Sequence, residues 1–435
     1  MAVNFGIGAT FGNNRCTDSQ PTTGLWADTD GECTKSLGAP LSKPQPLPTT
    51  RPRAKGTKMD DLGSLLGNVS LGAQTMYELL VNENVTEITI NAYNKMFYTE
   101  NGRRKGSNRA IFRNLDEYIA WIDTVLQDHT DAKYASLREA EGKIDVIEAS
   151  LKGGALYGSI HVVMPEITRD NPIVTVRKQP RVHITLDQML HDQNMMDPAM
   201  RVFLEMAMRG RLNILVSGGS GAGKTTMVRA LAQFIDPNDR VITCEEIDEL
   251  HLQAPNVVPM FTHVARDEQG RELRRVELND LVRHTLRMRP ERIWVGEVRG
   301  AEAHSLVKAC NTGHDGSLTT VHADTARTAL KNLITYVMEA GVTEDVAREA
   351  IARAFDLIVH IKKVSYERRV VFEIAEVSSA IEGNEIRMST LFEYDYETDG
   401  FIMRDNPSPE LERKLAQYGV NIRDEFNKLF FGSSY

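Results

Sequence analysis

A lysine and two threonines behind a run of glycines give this chain its first candidate chemistry. Residues 218–226 read GGSGAGKTT, between the apolar LNILVS of residues 212–217 and a helix-like MVRALAQFI. Gly218, Gly223, Lys224 and Thr225 fit the spacing G-x-x-x-x-G-K-[ST]. In that pattern consecutive backbone N–H groups turn inward around phosphate oxygens, and the dipole of the following helix adds positive potential. Gly219, Ser220, Gly221, Ala222, Gly223, Lys224, Thr225 and Thr226 are therefore expected to cradle ATP. Lys224 would reach the β- and γ-phosphates, and the Thr225 hydroxyl would hold Mg2+. A chance glycine loop need not lie between a strand and a helix, and this one does.

Phosphate binding alone does not imply hydrolysis, which needs a carboxylate to hold Mg2+ or to orient the attacking water. RIWVGEVRG (residues 292–300) offers Glu297 at the end of an apolar strand, with Arg299 beside it. VITCEEIDELHL (residues 241–252) offers Glu245, Glu246, Asp248 and Glu249. Strand ends are where an open α/β sheet forms its ligand crevice. The bland alternative for either segment is a solvated acidic turn. NTGHDGSLTTVHADT (residues 311–325) adds His314 and His322, placed to sense a γ-phosphate, to carry protons, or to serve structure alone. No convincing metal-ligand set accompanies them.

These groups need a scaffold, and the pattern along the chain predicts one. Residues 1–60 are rich in Gly, Thr, Pro, Asn and Ser, and residues 43–58 are Pro-rich and basic. They read as a disordered extension, more a solvated linker than a lipid contact. Residues 61–180 read as a small α+β domain. Within it, residues 85–104 alternate and turn at Asn101-Gly102, and LDEYIAWIDTVLQD (residues 115–128) has helical spacing. SIHVVM and PIVTVRK follow as strands. From 181 to 395, strand and helix patterns alternate from PAMRVFLEMAMRG onward, the signature of a parallel sheet covered by helices. After TARTALKNLITYVMEAG the chain reads as mainly helical, with a late β pattern at residues 368–395 and a helical tail at 396–435.

Composition narrows the classes. The 435 residues are 41% hydrophobic and 26% charged, an ordinary globular balance. The net charge of −9 weighs against a protein that coats nucleic acid. No apolar stretch approaches a membrane span, and the start lacks a basic segment followed by an apolar one. A cytoplasmic location, with at most peripheral membrane contact, is expected. Cys16, Cys33, Cys244 and Cys310 form no C-x-x-C pair, so free thiols are expected rather than zinc or disulfides.

In order along the chain, LNILVSGGSGAGKTT, LVRHTLRMRPERIWVGEVRGAEA and NTGHDGSLTTVHAD resemble the Walker A, Walker B and His-box regions of the secretion ATPase superfamily. That superfamily powers type II and type IV secretion systems and type IV-like pili, and the chain is most similar to its Tad/Flp pilus ATPases. The resemblance extends from VTEITIN and VTVRKQP to AFDLIVHIKKV and EIAEV. It implies a RecA-like P-loop domain, a homohexameric ring, and inner-membrane platform proteins as partners at the cytoplasmic face. It also implies Glu297 as the Walker B glutamate holding Mg2+ with Thr225, Glu245 as the water-activating glutamate, and His322 as the His-box histidine.

The chain departs from the family pattern in places. Glu245-Glu246 stands where an E-D pair is usual. Ile160 stands where relatives carry an arginine directed at the nucleotide, leaving Arg177, Arg169 or Arg266 to supply that charge. No tetracysteine module is present, which disfavours the type II secretion and classical type IV pilus branches. The expected function is an ATPase driving pilus assembly, with retraction left open, or export. The alternatives are a RecA-like nucleic-acid motor, a conjugation traffic ATPase, and a scaffold that binds ATP without turnover.

Overall fold

The computed structural model describes residues 71–107, 111–130, 132–151, 158–178, 183–267, 271–365 and 368–431. The extension expected over residues 1–60 lies outside them, with Cys16 and Cys33. Cys244 and Cys310 are free and buried, and burial pushes both thiols up to about 12.

Helix α1 (Leu71–Val81) leads into strands β1 (Val85–Ala92), β2 (Lys95–Glu100) and β3 (Arg103–Gly106). Asn101 and Gly102 turn the second hairpin with φ of 51° and 77°, the left-handed pair that a two-residue hairpin loop needs. Helix α2 (Leu115–His129) starts at Asn114, whose side chain accepts the Glu117 N–H at 2.9 Å. It buries Tyr118, Trp121, Ile122, Val125 and Leu126. After α3 (Leu137–Ala140) come β4 (Val146–Leu151), β5 (Gly158–Val163) and β6 (Ile173–Lys178). The antiparallel sheet runs β3-β2-β1-β6-β5-β4. Strand β4 is not among the expected elements. Its inward residues are Ile147, Ala149 and Leu151, and the alanine at the centre weakens the alternation.

The second half begins with α4 (Leu186–His191), α5 (Pro198–Arg209), β7 (Ile214–Gly218), α6 (Lys224–Leu231) and β8 (Val241–Glu245). Then come β9 (Val257–Phe261), β10 (His263–Arg266), β11 (Glu272–Val276), α7 (Leu278–Thr285), β12 (Arg292–Val295), α8 (Glu302–Cys310) and β13 (Leu318–His322). The chain closes with α9 (Ala326–Met338), α10 (Glu344–Ala354), β14 (Leu357–Lys363), β15 (Arg369–Glu382), β16 (Glu385–Asp395), β17 (Gly400–Met403), α11 (Pro409–Gln417) and α12 (Ile422–Phe431).

The large sheet runs β17-β16-β15-β14-β7-β13-β12-β8-β9. It is parallel from β14 to β9 and antiparallel from β14 to β17. Strands β7, β8 and β12 are buried at every residue, as expected where helices cover both faces. One apolar core joins α4, α5, α6, α11 and α12 to the sheet, and the other joins α7 to α10. The expected α/β class, with a parallel sheet after a smaller α+β domain, is the class observed.

Two segments differ from expectation. Residues 357–363, within the stretch read as helical, form the inner strand β14; a short apolar run buried on both sides has no period to betray it. The described part of residues 396–435 is more than a tail: β17 extends the sheet beside β16, and Leu411, Leu415, Val420 and Ile422 pack into the first core.

Candidate functional site

Strand β7 delivers the glycine loop to the middle of the sheet. Gly218, its last residue, lies across from His322 of β13 on one side and Ile361 of β14 on the other. A Cβ on Gly218 would stand 2.5 Å from the Ile361 carbonyl oxygen, so no side chain fits there. Gly219 to Gly223 form the turn, and Gly223, at φ 103°, precedes the first residue of α6 in a conformation that only glycine adopts freely. Lys224, Thr225 and Thr226 open the helix, half-buried. The Lys224 ammonium donates to the carbonyls of Gly218 and Gly219 at 3.0 and 3.3 Å and lies 3.8 Å from Glu297 Oε1. Burial holds its pKa below the usual lysine value, against the pull of Glu297.

Glu297 follows β12 by two residues and accepts from Arg299 Nη2 at 2.5 Å. Arg299 also approaches Glu246 at 3.6 Å. The acidic segment after β8 divides its labour. Glu245 is buried, and both of its oxygens serve its own loop. One accepts from Thr243 Oγ1 at 2.8 Å, and the other accepts the N–H groups of Glu249 and Leu250 at 2.9 and 2.7 Å. Burial raises its pKa, partly offset by those bonds. Glu249 is different. Burial, then the Glu297 charge, raises its pKa, while Arg229, Arg177 and Arg299 draw it down. Its charge is also felt at Lys224. The Glu249 charge thus bears on Glu297 and Lys224, while Glu245 braces the loop that carries Glu249.

His322 is exposed at the end of β13, across from Gly218, and its carbonyl accepts from Asn332 Nδ2 at 2.9 Å. His314 lies before β13, at the far end of that strand, with Nδ1 3.1 Å from the Ala309 carbonyl. Of the three arginines proposed for the nucleotide, Arg177 has a charge that bears on Glu249. The Arg266 side chain lies outside the described residues. Ile160 is buried in the core of the first domain, so its side chain on β5 faces inward.

Sequence reasoning missed His360. It is buried on β14 behind the loop, with Nδ1 2.9 Å from Ser217 Oγ. The cue was weak, since a lone histidine in DLIVHIKK signals nothing by spacing. Burial, then the Lys362 charge, pushes its pKa from 6.5 down to about 4. Between these values the unfolded chain holds the extra proton, so stability falls as pH drops through that window. His360→Gln keeps a partner for Ser217 and cannot charge. Urea unfolding should show the variant losing about 3 kcal/mol less than wild type between about pH 7 and about pH 4. An identical pH slope in both proteins would contradict the assignment.

A family model described as Type II/IV secretion system protein matches residues 159–418. An uncharacterized protein of Methanocaldococcus jannaschii, MJ0781, is 31% identical over 254 residues, covering 57% of this chain and 33% of that one. The chain therefore spans about one third of that relative's length. The conjugal transfer protein TrbB of Rhizobium radiobacter is 34% identical over 241 residues, covering 54% of this chain and 69% of TrbB. The X-ray structure of the Legionella pneumophila ATPase DotB aligns over 72% of this chain and 81% of DotB, at 21% identity and a TM-score of 0.47.

Proposed function

The chain belongs to the type II/IV secretion system protein family, and on that premise we propose that it is an ATPase that hydrolyses ATP at residues 218–226 to power assembly of a Tad/Flp type IV-like pilus or export through a related system. The observation that carries the reading is the approach of Lys224 and Glu297, 3.8 Å apart, beside the half-buried Glu249. Lys224 would meet the β- and γ-phosphates in place of the loop carbonyls. Mg2+ bound with ATP would supply positive charge to the phosphates, and Thr225 and Glu297 are the groups that would hold it.

The acidic loop supplies the base. Glu249, whose pKa burial and the Glu297 charge raise above its usual value, is suited to accept a proton from attacking water. That places on Glu249 the role the family resemblance assigned to Glu245. Arg299 orients Glu297 and adds positive charge. His322, across from Gly218, is the γ-phosphate sensor in this reading. The working unit in this reading is a homohexameric ring at the cytoplasmic face of the inner membrane, with platform proteins receiving the motion. Among the described residues no helix is long and apolar enough to cross a membrane, which fits a peripheral motor. A second reading, a traffic ATPase of a conjugation system, is favoured by the similarity to TrbB.

Steady-state phosphate release tests the reading when measured alone, with anionic phospholipid vesicles, and with single-stranded DNA. Turnover with Mg·ATP that DNA leaves unchanged is expected. Stimulation by DNA would transfer the chain to the nucleic-acid motors, and ATP binding without phosphate release would make it a scaffold.

A further inference from the structure

The inference concerns Arg369 and rests on the reading that residues 218–226 hold a nucleotide. Strands β14 and β15 form an antiparallel hairpin that reaches the phosphate loop, with Ile361 the partner of Gly218 and Lys363 the partner of Arg369. Arg368 and Arg369 are adjacent where β15 begins, so their side chains leave on opposite faces. Arg368 is accounted for: it pairs with Asp399, and its guanidinium lies 5.6 Å from the centre of the Tyr394 ring. Arg369 runs the other way, and its Nε donates to the Gly221 carbonyl at 2.9 Å. Its Cδ lies 3.6 Å from where a Cβ on Gly223 would sit. The stem thus flanks the last glycine of the loop, and the head sits on its turn.

Two features separate this contact from an ordinary surface arginine. The side chain is partly buried, and burial alone lowers its pKa; among the described residues no carboxylate pairs with it. A desolvated cation without a counter-charge is costly unless an anion meets it in the working state. The loop also needs an external hold. Its N–H groups must converge on phosphate while its carbonyls point away, and the Gly221 carbonyl is the one that Arg369 grips.

We propose that Arg369 is a positioning residue of the nucleotide site, bracing the loop through the Gly221 carbonyl and leaving its positive charge for the phosphates of the bound nucleotide. Nothing in the sequence joins the two, because 148 residues separate them. The brace acts on the loop rather than on the reacting γ-phosphate, so it supports ATP and ADP alike.

The test titrates fluorescent N-methylanthraniloyl ATP and ADP into full-length wild type, Arg369→Gln, Arg369→Met and Arg369→Lys, with phosphate release measured on each. Arg369→Gln should bind both nucleotides about 10-fold more weakly, as expected for losing a charge-assisted contact, while kcat at saturation stays within about 3-fold. Arg369→Met keeps the stem beside Gly223 and should lose the same affinity while unfolding at the wild-type temperature without nucleotide. Arg369→Lys restores the charge and can reach the same carbonyl, so its affinity should return to within about 3-fold of wild type. Wild-type affinity in a folded Gln or Met variant, or a Lys variant as weak as Gln, would overturn the proposal. If wild type itself bound neither nucleotide, the reading of the site would fail instead.

Discussion

Lys224→Ala is expected to abolish nearly all phosphate release, by about 10³-fold or more, the range for losing a preorganised charge at the reacting centre. Lys224 is the first residue of α6 and is held where loop and helix meet, with Glu297 3.8 Å away. Charge that accumulates on the transferring phosphoryl oxygens would lose its nearest fixed cation. The fold should survive. In the free protein the ammonium donates to two loop carbonyls and faces Glu297, and water can satisfy these groups in its place. Phosphate release beside thermal unfolding checks the two halves together. Turnover near wild type in a folded variant would remove the loop from the mechanism.

Glu297→Gln should separate binding from chemistry. The substitution keeps size and shape and can still accept from Arg299, but it removes the negative charge beside Lys224. Ground-state ATP is held mainly by the loop N–H groups and Lys224, so its dissociation constant should move by less than about 5-fold. The groups that polarise water and hold Mg2+ act mostly in the transition state, and kcat should fall about 10²-fold or more. A glutamine at this position would also stop raising the pKa of Glu249, making Glu249 a weaker base at neutral pH. Both consequences lower the rate. Parallel measurement on Glu245→Gln would show whether that residue does more than brace its loop.

The glycine loop between a strand and a helix, and the place of Glu297 after a buried strand, were legible because each is a local pattern. Four glycines before a lysine, an apolar run ending in a carboxylate, and an Asn-Gly turn all carry their reason within a few residues. What the sequence concealed depends on distant partners. The choice between Glu245 and Glu249 turns on which carboxylate is consumed by Thr243 and the loop N–H groups, and four glutamate and aspartate side chains in one short run look alike until folded. Ser217 meets His360, and Gly221 meets Arg369, only because β14 lies beside β7. That pairing was hidden in turn, since a strand buried on both faces loses the alternation by which strands are recognised. Residues 400–403 escaped for a related reason: a four-residue edge strand is too short to show a period.

One paired measurement bears most directly on the claim that this chain hydrolyses ATP at the Lys224–Glu297 site. Nucleotide titration and steady-state phosphate release are run on the same preparations of wild type and Glu297→Gln. The account predicts similar ATP affinity in both proteins, with turnover in wild type and a fall of about 10²-fold or more in the variant. Hydrolysis by Glu297→Gln at the wild-type rate would contradict it, as would a wild type that binds ATP and releases no phosphate.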